Sequence, residues 1–159
     1  GRIVGKEKKK IAYIGVTRDD RAVGQAREDG FRAGLLEAGI VLTEELYGIS
    51  EFSVESGYRQ ARAMLEKNSD IDIISCATDT IAAGVMEALK ECKKERREKV
   101  KVTGFGDNQF LKAVSEGITT VHFYYKTSGI KAAEMLLDII EEGHQVPIRM
   151  KLGYQIMEH

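Results

Sequence analysis

An α/β fold, a parallel sheet with helices on both faces, is what this 159-residue chain predicts. Three observations carry the expectation. Short runs of branched and aromatic residues alternate with segments of helical apolar spacing, the loops between them are short, and the composition is that of an ordinary globule. With 43% hydrophobic residues and one proline, the chain is about one domain long and has enough apolar material for a core. Strands that alternate with helices build βαβ units, and their parallel sheet is covered on both sides.

The elements follow in order. Ile11-Ala12-Tyr13-Ile14-Gly15-Val16 reads as a buried strand, and the polar stretch 17–21 as the loop after it. Val23, Phe31, Leu35 and Ala38 recur at helical spacing, and Gly39 ends that helix. A second strand is expected over 42–47. Ser53 then opens a helix with Val54, Tyr58, Ala61 and Leu65 on its inner face. A third strand covers 71–77, and a helix starting at Asp79 turns Ala82, Val85, Met86 and Leu89 inward. A charged loop over 93–99 leads to a fourth strand at 100–105. A short helix over 108–115, a strand over 118–123, a helix over 128–142 and a last strand over 148–156 complete the chain. The helix at 128–142 carries Ile130, Ala133, Leu137 and Ile140 on one stripe.

Crossovers in such a sheet are right-handed, so every loop from strand to helix gathers at one edge. That edge collects Arg18, Arg21 and Arg27, then Ser50 and Phe52, then Thr78 and Asp79, then Asp107 and Asn108. Open α/β sheets present groups to ligands there. Three of these residues have a plainer reading as well. Asp79 precedes an apolar helix and serves as an N-cap; Phe52 serves as a hydrophobic staple ahead of Ser53; Arg27 fits an exposed helix position.

Charge and composition exclude several classes. A formal net charge of -1 argues against a nucleic-acid surface over the whole chain. The clusters at 6–10 and 93–99 mix signs and read as solvated ends or loops. No stretch approaches the roughly 18 apolar residues of a spanning helix, and the first residues lack the apolar core of a secretion signal, so no membrane contact and a cytoplasmic location are expected. Cys76 and Cys92 match neither a metal spacing nor a disulfide framework and read as reduced thiols. His122, His144 and His159 lack the spacing of a zinc helix.

A catalytic reading needs a nucleophile with its base, a tuned acid/base pair or a metal cluster, and the sequence offers none. Gly104-Phe105-Gly106-Asp107-Asn108 is half a dinucleotide fingerprint without its third glycine, and no cofactor is expected. What remains is a set of carboxylates, amides and guanidinium groups beside an aromatic ring. Polar groups fix hydroxyls while an aromatic face covers the C–H face of a pyranose, which suits a sugar.

Five segments together resemble a known family. They are the strand Ile11–Val16 leading to Gly24-x-x-Arg27-x-x-Gly30-Phe31; Phe52-x-x-x-Ser56-Gly57-Tyr58; Ala77-Thr78-Asp79-Thr80-Ile81-Ala82-Ala83-Gly84; Val102-Thr103-Gly104-Phe105-Gly106-Asp107; and Ile118-Thr119-Thr120-Val121. In this order they resemble the effector-binding core of LacI/GalR-type bacterial transcriptional repressors. The resemblance implies a periplasmic-binding-protein-like fold, two α/β lobes closing on a small ligand behind a helix-turn-helix head. By the matching positions, Arg27 grips ligand hydroxyls or a carboxylate, Phe52 stacks on the ring, and Thr78, where relatives often carry asparagine, hydrogen-bonds to it. Arg21 falls where some relatives place a second arginine. Asp79 divides its role between cap and site. Gly106 occupies the place of the relatives' aspartate, with Asp107 one residue later. His122-Phe123-Tyr124 stands where some relatives offer an amide, implying a more apolar wall.

The wording is most similar to regulators of disaccharide use, such as those for sucrose or trehalose; a sugar phosphate also suits Arg18, Arg21 and Arg27. The resemblance further implies a partial effector domain, mainly the C-terminal lobe. Residues 10–119 form that lobe, 120–145 belong to the N-terminal lobe in relatives, 146–159 return as a strand, and the DNA-binding head is absent. It implies a homodimer, formed through the helix at 80–91, that meets DNA only through the missing head. The apolar stripe of the helix at 128–142 then packs on another chain, folds back, or meets a part of a longer parent. A transport-type sugar-binding protein and a small α/β enzyme acting on a sugar phosphate or nucleotide are the alternatives.

Overall fold

The computed structural model of the protein describes residues 9–109, 118–143 and 146–158. Strand β1 (Ile11–Gly15) is buried along its whole length. It pairs on one side with the edge strand β2 (Tyr47–Ile49) and on the other with β3 (Ile73–Cys76). Next come β4 (Lys101–Thr103), β5 (Ile118–Phe123) and β6 (Tyr154–Glu158), so the sheet runs β2-β1-β3-β4-β5-β6. All pairings from β2 to β5 are parallel. The last strand returns antiparallel along β5, with Val121 opposite Ile156.

Helix α1 (Ala26–Glu37) follows a π-helical turn over Arg21–Gln25, whose first amides bond the Asp20 carboxylate. It is followed by α2 (Val54–Lys67), α3 (Asp79–Lys90), α4 (Lys94–Lys99) and α5 (Tyr125–Glu142). The β1-to-β2 crossover runs toward one edge of the sheet, and those from β2 to β3 and β3 to β4 run toward the other. Right-handed connections therefore set α1 on one face and α2 with α3 on the opposite one. Side chains agree: Tyr13 stacks on Phe31 of α1 at 4.6 Å, while a Cβ at Gly48 would meet Met64 of α2 at 3.5 Å and its neighbour Ile14 at 3.8 Å.

The main core joins Ile14, Ile74, Ile81, Ala82 and Val85, all fully buried, with Ala61 and Leu65 of α2. A smaller cluster of Ile11, Leu35 and Ile73 lies under α1. Helices α2 and α3 touch backbone to backbone. A Cβ on Gly57 would stand 2.7 Å from the Ile81 carbonyl oxygen, and one on Gly84 2.1 Å from that of Val54.

Several boundaries differ from the sequence reading. The second strand is Tyr47–Ile49 rather than 42–47, because Glu44–Leu46 closes into a 3-10 turn on the Thr43 carbonyl. The charged stretch 93–99 contains α4, which Arg96 anchors by donating to the carbonyls of Leu65 and Asn68. The fourth strand stops at Thr103, although Gly104 and Gly106 still donate to the Thr119 and Val121 carbonyls. The last strand begins at Tyr154, where β5 offers it a partner, rather than at 148. Most of the short helix expected over 108–115 lies outside the described residues. Helix α5 begins at Tyr125, and its stripe stays open: Ile130 is 48% exposed, Leu137 52% and Ile140 68%. Among the described residues no helix is long and apolar enough to cross a membrane.

Candidate ligand-binding rim

Parallel strands direct the loops after β1, β2, β3 and β4 to one rim, and the hydrogen bonds there join residues far apart in sequence. Helix α3 opens it. Thr78, rather than Asp79, is the N-cap: its side chain accepts from the Ile81 amide at 3.2 Å. Asp79 is the first helical residue, where a carboxylate complements the helix dipole.

The Asp79 side chain is buried and fully engaged. Its Oδ1 accepts from the Thr120 hydroxyl at 2.6 Å, and its Oδ2 from the Asn108 amide at 2.7 Å. Gly104 makes room for it, since a Cβ there would stand 2.2 Å from Asp79 Oδ1. The loop then turns sharply, with φ of 135° at Gly106 and 52° at Asp107. Thr120 Oγ1 also accepts from the Asp107 amide at 3.2 Å, so one hydroxyl links α3, the β4 loop and β5. The Asp107 carboxylate meets His122 Nδ1 at 2.7 Å. Over this loop lies the first turn of α5, whose Tyr125 hydroxyl donates to the Gly106 carbonyl at 3.3 Å.

Arg27 lies across the rim. Its Nη1 donates to the Ala77 carbonyl at 2.6 Å, and its guanidinium sits 4.1 Å from the centroid of the Phe105 ring. Burial, the largest influence, lowers its pKa from the ordinary value, against the opposing effect of Tyr125 and Tyr13. Nearby, burial and the charge of Glu28 push the Tyr13 hydroxyl up. A guanidinium held on an aromatic face beside a cleft is suited to planar hydrogen bonding of oxygen groups.

A trough of about 710 Å³ opens beside Arg27 on the face of the sheet that carries α1. Of the residues singled out in the sequence, Arg27 lines it. Thr78, Asp79 and Asp107 stand at the same rim but are engaged in capping, in the loop clasp and with His122. Arg21 is exposed in the turn before α1, and Phe52 is 55% exposed ahead of Ser53. The trough also brings in Tyr13, Phe105 and Phe123, which the sequence reading had not placed in the site. Tyr13 read as strand core; its position two residues before Gly15 is the signal that could have separated it.

Fold and rim together define an α/β domain of the periplasmic-binding-protein class. Residues 2–158 match the model of the periplasmic binding protein-like domain, and the chain belongs to that family. Within it, the relatives bear out the resemblance to LacI/GalR-type regulators. The HTH-type transcriptional regulator RegA of Clostridium saccharobutylicum is 31% identical over 156 residues, which are 98% of this chain and 47% of that protein. The sucrose operon repressor of Staphylococcus xylosus is 32% identical over 136 residues, 86% of this chain and 41% of that one. Among solved structures, the transcriptional regulator CelR–cellobiose complex superposes with a TM-score of 0.86 at 26% identity, over 98% of this chain and 47% of that one. The chain spans about half the length of the curated relatives it matches.

Proposed function

We propose that this chain is the ligand-sensing part of a bacterial transcriptional regulator, which binds a sugar at the rim and thereby changes DNA binding by a helix-turn-helix head elsewhere in the protein. The observation that carries the reading is Arg27, held on the Phe105 ring at the open trough in a chain whose relatives are regulators rather than enzymes. Arg21, Phe52, Thr78, Asp79 and Asp107 complete the proposed contact set, Asp79 acting through the loop it clasps. Residues 10–119 form the C-terminal lobe, 120–145 are the segment that belongs to the N-terminal lobe in relatives and here leaves the sheet after β5, and 146–159 return as a strand. The sugar favours one arrangement of the lobes, and that preference is what couples it to DNA. A homodimer formed through the helix at 80–91 and a cytoplasmic location belong to the same reading.

A thermal-shift screen of the full-length protein against cellobiose, sucrose, trehalose and hexose phosphates tests it. A ligand that binds only the folded state raises the melting temperature. At least one sugar is expected to do so, and Arg27→Ala to abolish the shift while leaving the unliganded transition in place. A flat response across the whole panel refutes the reading.

A further inference from the structure

Arg27 carries its charge without a carboxylate beside it. Helix α1 projects the side chain over the residues that follow β3 and β4, where Nη1 donates to the Ala77 carbonyl at 2.6 Å and the guanidinium lies 4.1 Å from the Phe105 centroid. The rim's ion pairs belong to other residues, and among the described residues none joins Arg27 to an acid. Its Nε and Nη2 have no hydrogen-bond partner in the protein, and neither is sealed from solvent. Their N–H groups form a planar fork, open at the rim, of the kind that takes two oxygens at once.

The acidic side chains of the same rim carry internal bonds instead. Asp79 gives Oδ1 to the Thr120 hydroxyl and Oδ2 to the Asn108 amide. The Asp107 side chain is 6% exposed and meets His122 Nδ1, Asp20 accepts from the amides of Ala22 and Val23, and Asp19 accepts from the Thr17 hydroxyl. Glu51 is exposed, but it follows the edge strand β2, two strands from β3, or about 10 Å across the sheet. Gly106, next to the ring on which Arg27 rests, has no side chain to offer. Burial is the largest influence on Arg27 and acts against its charge, and the neighbouring tyrosines and carboxylates offset it only in part. A cation desolvated in this way is completed by an anion that a ligand brings.

This imbalance bears on the ligand. A hydroxyl donates as well as accepts, so a neutral sugar calls for acceptors beside the donors. An ionised carboxylate or phosphoryl group only accepts, and its paired oxygens match the free edge of a guanidinium. We propose that the ligand is an acidic sugar, bearing a carboxylate or a phosphoryl group, and that Nε and Nη2 of Arg27 hold two oxygens of that group. The inference rests on the sugar-sensing function proposed above and names the charge that its ligand carries.

Calorimetric titration of the full-length protein with matched ligands tests it: glucose against glucuronate and glucose 6-phosphate, and trehalose, sucrose and cellobiose against their 6-phosphates. At least one acidic member is expected to bind about a hundredfold more tightly than its neutral parent, the worth of two charge-assisted hydrogen bonds at the low end of their range. Preference for glucuronate identifies a carboxylate ligand, and preference for a 6-phosphate a phosphoryl one; in either case the preference shrinks as salt is raised. Arg27→Lys keeps the charge but loses the fork, and is expected to weaken binding of the acidic sugar about tenfold. Arg27→Gln removes the charge and is expected to bring acidic and neutral members to similar affinity, with the unliganded melting transition retained in both variants. Neutral and acidic members binding the wild type equally, or neutral members alone, overturns the acidic ligand and leaves the sugar reading standing. An acidic preference that persists undiminished in Arg27→Gln overturns the assignment to Arg27. Absence of any sugar binding to the wild type overturns both readings.

Discussion

Glu28 is the charged residue that fixes α1, and with it Arg27, against the sheet. Its side chain is 4% exposed; Oε1 accepts from Arg32 at 2.7 Å and lies 3.3 Å from Arg18, and Oε2 accepts from the Tyr47 hydroxyl at 2.9 Å. Burial by itself raises the carboxyl pKa, but the bonds from Arg32 and Tyr47, with the charge of Arg32, outweigh it and hold the group below its ordinary value. A carboxyl depressed in the folded state contributes stability that is complete above its unfolded pKa, about 4.3, and is lost as pH falls through the folded one. Urea unfolding is therefore expected to show stability declining from about pH 4 downward, and Glu28→Gln to flatten that decline while lowering stability at neutral pH. The sequence carries position more fully than engagement. That Arg27, Thr78, Asp79 and Asp107 share a rim follows from the handedness of crossovers. That Asp79 is spent on a loop follows from Gly104 and from Thr120, which is 41 residues away, and no local pattern encodes it. The unpaired hydroxyl of Tyr13 is likewise a product of packing.

Helices α2 and α3 form the rigid floor on which the rim stands, and two glycines let their backbones meet. A Cβ on Gly84 would lie 2.1 Å from the Val54 carbonyl oxygen and 2.5 Å from the Tyr58 nitrogen, all of it backbone that cannot rotate aside. Gly84→Ala gains helix propensity of about 1 kcal/mol, but it must also spread two buried helices. Overpacking of this kind costs about 1–3 kcal/mol, and here it falls at the upper end because no side chain can yield. A net loss is therefore expected, read as a lower urea midpoint with an unchanged slope. The helical stripes and the continuous apolar runs made the order of these elements legible, since periodicity is a local property. Their ends were less so. Strand β2 is short because Glu44–Leu46 satisfies its amides in a turn, and β6 is cut to the length that β5 can pair. Helix α4 reads as a charged loop until Arg96 finds carbonyls on α2 and beyond it.

The whole chain is two-sided in its packing: a sheet with a dense core under α2 and α3, and a helix, α5, that leaves the rim with its apolar side chains uncovered. Ile130, Leu136, Leu137, Ile139 and Ile140 are each 48% exposed or more. The sequence had foreseen this stripe as surface in need of a cover, and contiguous apolar surface of this kind drives association. The isolated 159-residue chain is therefore expected to self-associate through α5, with a sedimentation coefficient that rises with concentration. Leu137→Glu with Ile140→Glu should remove that rise and leave the melting temperature within a degree or two, because side chains this exposed contribute little to the core. In the full-length protein, where the proposed second lobe covers α5, the same pair should lower the melting temperature by several degrees, since two carboxylates would then be buried against apolar surface. Equal melting temperatures for the double variant and the wild type in the full-length protein would mean that α5 stays at the surface there too, and the assignment of 120–145 to a second lobe would fail.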